Sequence, residues 1–421
     1  MSGSYRKPPV VAIEDLGLEL GVFRGDPVEE LARYGAQLVL TSYIEAEVSA
    51  HLARRPYERT PDAQGYRNGH RTRKVTVGSG TVPVEFPKVR NCSTPFRSAI
   101  LEAWQRRSAA VLGVLPSLYV EGLSTRDFER ALKPLWGEAG LSRSTVSRAN
   151  EDLKQGFDAW RRRDLSEEPV LYVFLDGHFE GVRFGTSDKE AILVAHGFRE
   201  DGSRVLLGVY LGCHETTEAW KLALDDLVAR GLREPLLVIT DGNPGLIKAV
   251  RQTWPTAPRQ RCIVHRIRNV LARIPKRDHQ RIRTELNAIF YAACLEEALS
   301  AARRFAERFG GVYPSACEVL GTDLADCLTF FRFPQQHWKR LRTSNPLERT
   351  FKEVRRRTRV IGRFPTERSA LSLVWAVLDA ESAKWRGVRM KPQWLDAIRA
   401  ARQQLRTEPI VISGFEELLA A

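Results

Sequence analysis

A chain of 421 residues with 43% hydrophobic and 28% charged residues is long enough for two to four folded units, and its composition excludes fibrous and intrinsically disordered classes. Its 65 Lys and Arg against 51 Asp and Glu leave a formal net charge of +14, which points to a polyanionic partner, nucleic acid first. No uncharged run approaches the roughly 18 residues of a membrane span, no signal-peptide stretch is present, and the six scattered cysteines form no disulfide pattern, so a cytoplasmic protein with reduced thiols is expected.

Leu31, Tyr34, Leu38, Leu40, Ile44 and Val48 recur at near-helical spacing and predict a helix over residues 27–52 that packs or dimerises. The polar, basic, turn-rich segment 54–74 reads as a loop, either an arm or a solvated linker. Two β-prone runs flanking Gly78-Ser79-Gly80 follow as a hairpin. Residues 118–164 read as helix, turn, helix: Ser124 can cap the first helix, residues 137–141 supply the turn, and Ser142 can cap the second. This is the layout of a helix-turn-helix, in which Arg143, Ser144 and Arg148 would face DNA; an ordinary helical hairpin has the same spacing.

From residue 170 the texture becomes α/β. LYVFLDG, EAILVAHGF and RVLLGVYLG read as three strands of a meander, followed by an amphipathic helix with Trp220, Leu224, Leu227 and Val228 on one face and Gly231 at its end. LLVITDG is a fourth strand, Asn243-Pro244 starts a helix through Val250, and RQRCIVH resembles a fifth strand. The order β-β-β-α-β-α-β is that of an RNase H-like fold: an α/β protein with a mixed five-stranded sheet flanked by helices. Residues 266–342 carry helical character throughout and read as an all-helical insertion, after which two helices return to the core. The expected organisation is an N-terminal helical segment (1–60), a DNA-binding region (61–165), two core parts (166–265 and 343–390) around the insertion (266–342), and a C-terminal tail (391–421).

Asp176 and Asp241 each end a strongly apolar strand, where a carboxylate has no packing role and must be solvated or matched to a cation. Side by side they would repel unless divalent cations neutralised them, and an all-oxygen site suits Mg2+ or Mn2+. Two such ions about 3.5–4 Å apart stabilise the entering and leaving oxygens of in-line attack at phosphate, a chemistry that calls for a third acid. Glu348 is the candidate. With Asn345 as N-cap and Pro346 as the first helical residue, however, Glu348 also falls at the third helical position, where a capping-box carboxylate belongs. On the same helix Glu348, Lys352, Arg355 and Arg359 share one face, either a DNA-facing basic ridge or a solvated one, beside the apolar Leu347, Phe351 and Val354.

The stretches LYVEGLSTR, YVFLDG, VITDGNPGL, QRCIVHRIRN, FPQQHW and TSNPLER occur in the order found in Mutator-type transposases, which include many bacterial insertion-sequence enzymes, and residues 66–365 resemble that family. The resemblance implies a DDE-type enzyme on an RNase H-like core, with three acids that map to Asp176, Asp241 and Glu348 and bind two Mg2+ (or Mn2+) ions. It further implies double-stranded DNA as partner, the terminal inverted repeats and a target, handled by a dimer or larger assembly. Cys262 and His265 match the family's Cys-x-x-His element, which is half a zinc site or a buried thiol beside a hydrogen-bonded imidazole. Trp338 lies where related transposases stack DNA bases, and a core role fits it as well. GHFEGVR follows Asp176 where the family more often has a small residue and a Tyr. A catalytically silent DNA-binding descendant and an RNase H-like nuclease that cuts without joining are the rival readings.

Overall fold

The computed structural model describes residues 26–59, 65–101, 107–121, 123, 128, 130–132, 143–182, 190–212, 216–359, 361 and 363–411. The chain divides into two compact units between Asn150 and Glu151, with Val120–Gly122 belonging to the second.

In the first unit, helix α1 (Pro27–His51) starts where Asp26 accepts a hydrogen bond from the Val28 amide at 2.9 Å, with Pro27 at its first position and Glu29 and Glu30 complementing its dipole. Only the C-terminal half of its apolar stripe is used: Ile44 and Val48 are buried against Val75, Val82, Val84 and Phe86, whereas Leu31 and Leu38 are exposed. The hairpin is present as antiparallel β1 (Tyr66–Val77) and β2 (Gly80–Arg90), closed at Val77↔Gly80. This corrects the loop expected over 54–74, since its second half is strand. The alternation signal is missing because β1 is exposed along most of its length; pairing with β2 holds it, together with bonds from Arg67 to Ser49 (2.8 Å) and between His70 and Glu45 (3.0 Å). Helix α2 (Ala109–Val120) follows, and α3 (Arg143–Arg161) begins one residue after the expected Ser142 cap. That cap, Ser124 and the turn at 137–141 lie outside the described residues.

The second unit is built on a five-stranded sheet. Its strands are β3 (Val170–Val182), β4 (Glu190–Arg199), β5 (Arg204–Gly212), β6 (Leu237–Thr240) and β7 (Arg259–Arg261), in spatial order β5-β4-β3-β6-β7. The first three are antiparallel, while β3–β6 and β6–β7 are parallel. Strands β3 and β6 read as continuous apolar runs because both faces are covered. Val173, Leu175 and Val238 pack on Trp220, Leu224 and Leu246 from α4 (Thr217–Ala229) and α5 (Pro244–Thr253); Tyr172, Phe174 and Ile239 face the opposite, helical side. Val228, expected on the buried face of α4, lies 43% exposed at its rim.

Two strand expectations need correction. Strand β3 runs six residues beyond Asp176, because its antiparallel pairing with β4 continues to Val182↔Glu190; Asp176 therefore sits inside the strand. Strand β7 stops at Arg261, and the predicted CIVH stretch instead opens helix α6 (Ile263–Leu271) with Cys262 as its N-cap.

No strand occurs among the described residues of the segment 266–342, as its helical character predicts. It contains the end of α6, then α7 (His279–Phe290), α8 (Leu295–Phe309), α9 (Pro314–Thr322), α10 (Leu324–Leu328) and α11 (Gln335–Leu341), around Phe290, Phe305, Phe309, Leu320 and Phe330. Helices α12 (Asn345–Thr358) and α13 (Glu367–Ser382) return to the sheet, α12 against β3 and α13 against β5. The expected tail holds a further helix, α14 (Pro392–Thr407), which buries Ile398 and Ala401 and is tied back through Arg402 to Glu234 at 2.9 Å. No helix of the described residues is long and apolar enough to cross a membrane.

Candidate active site

The parallel register places the first two acids. Tyr172↔Leu237, Val173↔Val238, Phe174↔Ile239 and Leu175↔Thr240 are paired, so Asp176 and Asp241 come next, one step further on neighbouring strands about 4.8 Å apart. Alternation puts both on the face of Phe174 and Ile239, the side covered by α6 and the insertion. Asp176 is only 4% exposed. Asp241 lies where β6 ends and the chain turns through Gly242 at φ +92°, a conformation that favours glycine. The turn lets the Asn243 amide donate to Asp241 Oδ1 at 3.0 Å, while Asn243 Oδ1 accepts from the Leu246 amide at 3.2 Å and starts α5. The loop that fixes this carboxylate is thus itself fixed by a helix cap.

Cys262 connects this edge to the third acid. Its amide donates to the Thr240 carbonyl at 2.8 Å, and its Sγ accepts from the Ser344 amide at 3.4 Å and the Ser344 hydroxyl at 3.5 Å. The next amide, Ile263, donates to the Arg342 carbonyl at 3.0 Å. The residue before Asp241 and the segment opening α12 are therefore both bonded to Cys262, the first through its backbone amide and the second through its buried thiol. This arrangement also changes the reading of Glu348. Because the Ser344 hydroxyl points to sulfur, it makes no cap bond, and α12 begins at Asn345 rather than Pro346. Glu348 then stands at the fourth helical position, one past that of a capping-box carboxylate, which corrects the competing assignment. The Glu348 side chain itself lies outside the described residues.

His265, on the first turn of α6, hydrogen-bonds to Cys262, and that bond raises the imidazole to about 9 against the opposing effect of burial; the charges of Cys262, Asp176 and Asp241 add to it. Burial alone would push the Cys262 thiol up, but its bonds to His265 and Ser344 hold it below the ordinary value. The pair thus belongs to the acid site as an electrostatic and hydrogen-bonding element. No group of three or more His, Cys, Asp or Glu suited to a metal ion occurs among the described residues.

The surroundings are cationic. Beside Gly242 opens a cavity of about 910 Å³ lined by Lys248, Arg251, Arg259, Arg261, Arg266 and Arg273 with one acid, Asp323, which pairs with Arg261 and Arg266. On α12, Leu347, Phe351 and Val354 are buried as their spacing predicts. The predicted ridge divides: Lys352 is exposed and lines a second cleft, Arg355 is half-buried, and Arg359 is exposed at the helix end. Glu353, the next acid on this helix, is held below the usual carboxylate range by Arg357 and then Arg356, so it is already matched to cations. Trp338 is partly buried against the core: it packs edge-on to Phe330 and Phe331, and its indole donates to the Phe333 carbonyl at 2.7 Å. The side chains of Arg143, Ser144 and Arg148 lie outside the described residues.

A family profile described as transposase, Mutator family, matches residues 22–387. The chain belongs to the Mutator family of transposases. It is 35% identical to the transposase for insertion sequence element ISRM5 of Rhizobium meliloti (strain 1021), over 91% of this chain and 94% of that protein. It is 37% identical to the IS406 transposase of Burkholderia multivorans, over 83% of this chain and 90% of that one, and 30% identical to the transposase for IS256 in transposon Tn4001 of Staphylococcus aureus, over 82% and 89%. Two groups of residues in this transposase-family chain are not legible in its sequence: the arginines lining the cavity beside Gly242, and Arg204 with Trp385 in the second cleft. They come from separate elements, so no local spacing announces them; the surplus of Lys and Arg is the available signal.

Proposed function

We propose that this chain binds the terminal inverted repeats of an insertion sequence and catalyses DNA strand cleavage and strand transfer, acting on DNA in the cytoplasm, with Asp176, Asp241 and Glu348 as the DDE acids of an RNase H-like core. The observation that carries this reading is the parallel register that brings Asp176 and Asp241 to the same step of adjacent strands. The strand order β5-β4-β3-β6-β7, with an antiparallel meander continued by two parallel strands, agrees with such a core. So does a helical insertion standing between β7 and the helix of Glu348. In this reading residues 61–165 form the DNA-binding region, residues 166–265 and 343–390 the core, and residues 266–342 the insertion.

The donor set fits divalent ions with hard oxygen preference: two carboxylates share one face of the sheet, and the helix of a third packs against β3. Two Mg2+ or Mn2+ ions held by the three acids would supply Lewis-acid stabilisation of the entering and leaving oxygens. The residues of this chain then do the rest. Asp176, nearly buried within its strand, and Asp241, held by the Asn243 amide, stay in place through both steps. Cleavage forms a bond from a water oxygen to phosphorus as the bond to the 3′-oxygen breaks. Transfer forms a bond from the freed 3′-hydroxyl to a target phosphorus as the target's own 3′-oxygen leaves. Neither step needs a covalent link to the protein, and bringing two ends together calls for a dimer or larger assembly on the DNA. The cations beside Gly242 favour the phosphate-rich substrate.

The test is joining of a labelled terminal-repeat oligonucleotide to plasmid. Joining is expected in Mg2+ or Mn2+, with binding but little joining in Ca2+, and Asp176→Asn should abolish it without loss of binding. Full joining in excess chelator would sink the metal assignment. Cleavage without any joined product would favour the nuclease reading.

A further inference from the structure

The second cleft, lined in part by α12, has no role in the chemistry above. It measures about 620 Å³ and lies between α11, the first turns of α12, the end of α13 and the start of β5. Arg204, Lys339, Arg340, Arg349, Lys352 and Arg386 line it, and none has a carboxylate partner among the described residues. Its one acid, Glu381, is engaged by Lys384 at 2.6 Å.

Arg204 is the recessed member. Its guanidinium sits 4.5 Å from the ring centre of Phe198 and 5.7 Å from that of Trp385, and its Nε and one terminal nitrogen are buried with no hydrogen-bond acceptor among the described residues. Burial, with Arg340 nearby, pushes it down to about 10. A guanidinium kept from water ordinarily faces an anion, because unmatched burial of a charge is costly. Trp385 forms a wall of the same cleft, its indole donating to Thr350 at 3.0 Å. Arg349 and Lys352 stand one and four residues after Glu348 on the same helix, so the cleft is lined in part by the helix that carries Glu348.

We propose that this cleft grips the phosphodiester backbone of an unpaired DNA strand leading away from the acid site, with Arg204 as the recessed anchor and Lys339, Arg340 and Arg386 as the rim. A rigid duplex offers its phosphates to the rim alone, whereas a single strand can bend inward to Arg204 and lay a base beside Trp385. The assignment rests on the DNA-transferring reading for its biological setting. Its chemistry can be tested apart from that reading.

The experiment measures binding of oligothymidylate to the full chain as a function of salt, for wild type, Arg204→Gln, Arg204→Lys and the rim pair Arg340→Gln with Arg386→Gln. Wild type should bind the strand with a steep salt dependence. Arg204→Gln should weaken it about tenfold without lowering the melting temperature, since no partner is orphaned, and Arg204→Lys should recover part of the loss. The rim pair should flatten the salt slope by about 0.7 for each phosphate it leaves unneutralised, and it carries the test if Arg204→Gln fails to fold. Unchanged affinity and slope in these variants would overturn the cleft assignment even if wild type joins DNA. Conversely, wild type that binds oligothymidylate through Arg204 but joins no terminal-repeat DNA would leave the cleft standing and remove the transposition reading.

Discussion

Glu348 illustrates how one bond elsewhere changes what a residue can be. By spacing alone it fits a capping box better than a metal ligand, but Ser344 donates to Cys262 and the helix begins at Asn345, one residue before the start that reading needs. If Glu348 is the third acid, Glu348→Gln should leave the melting temperature unchanged while strand joining falls by orders of magnitude, and combining it with Asp176→Asn should cost little more than either alone. Near wild-type joining by Glu348→Gln, alongside an inactive Asp176→Asn, would send the third ligand elsewhere; Glu353 is a poor substitute because Arg356 and Arg357 already hold it. His196 is a residue for which nothing in the sequence stands out. It is fully buried, stacked on Phe174 at 4.7 Å and near Trp385, and burial, reinforced by Arg204, places it well below its ordinary pKa. The unfolded chain takes up a proton there near pH 6.5 and the folded chain does not, so this residue's contribution is complete above that pH and is lost as the pH falls below it. Thermal melts from pH 7 to 5.5 should accordingly show a smaller decline for His196→Phe than for wild type, and parallel declines would assign the acid sensitivity to other groups.

At the scale of elements, the strongly periodic or continuously apolar segments are legible. Strands β4 to β6, the first half of β3 and helices α4, α5 and α8 stand where the sequence predicts them, because each buries enough apolar surface for its own pattern to report its environment. The elements that differ from expectation depend on partners instead. Exposed β1 exists through its pairing with β2, β7 is three residues long because α6 must start at Cys262, and α14 covers the chain with only Ile398 and Ala401 fully buried. Helix α3 begins at Arg143, one residue after the expected Ser142 cap. Replacing Arg143 and Arg148 by Ala should weaken binding to the element ends, with the salt slope flattened by about 0.9 for each phosphate no longer neutralised. Retention of both affinity and slope would move recognition to the residues of β1 and the segment preceding it.

For the whole molecule, residue order alone determined the class: a basic α/β chain with family-specific blocks, two acids on apolar strands, and a helical stretch separating them from a third. These properties are local or compositional, since a strand must be apolar to be buried and an excess of cations is visible by counting. Tertiary structure alone decided the relations between distant residues. It set Asp176 level with Asp241 through the β3–β6 register and tied Thr240 to the backbone amide and Ser344 to the thiol of one residue, Cys262. It also packed Trp338 against the core while bringing Trp385 and Arg204 to a cleft. Such relations depend on which chain segments pack together, and hydrogen bonds and charges between residues far apart in sequence leave no periodic trace in the residues that make them.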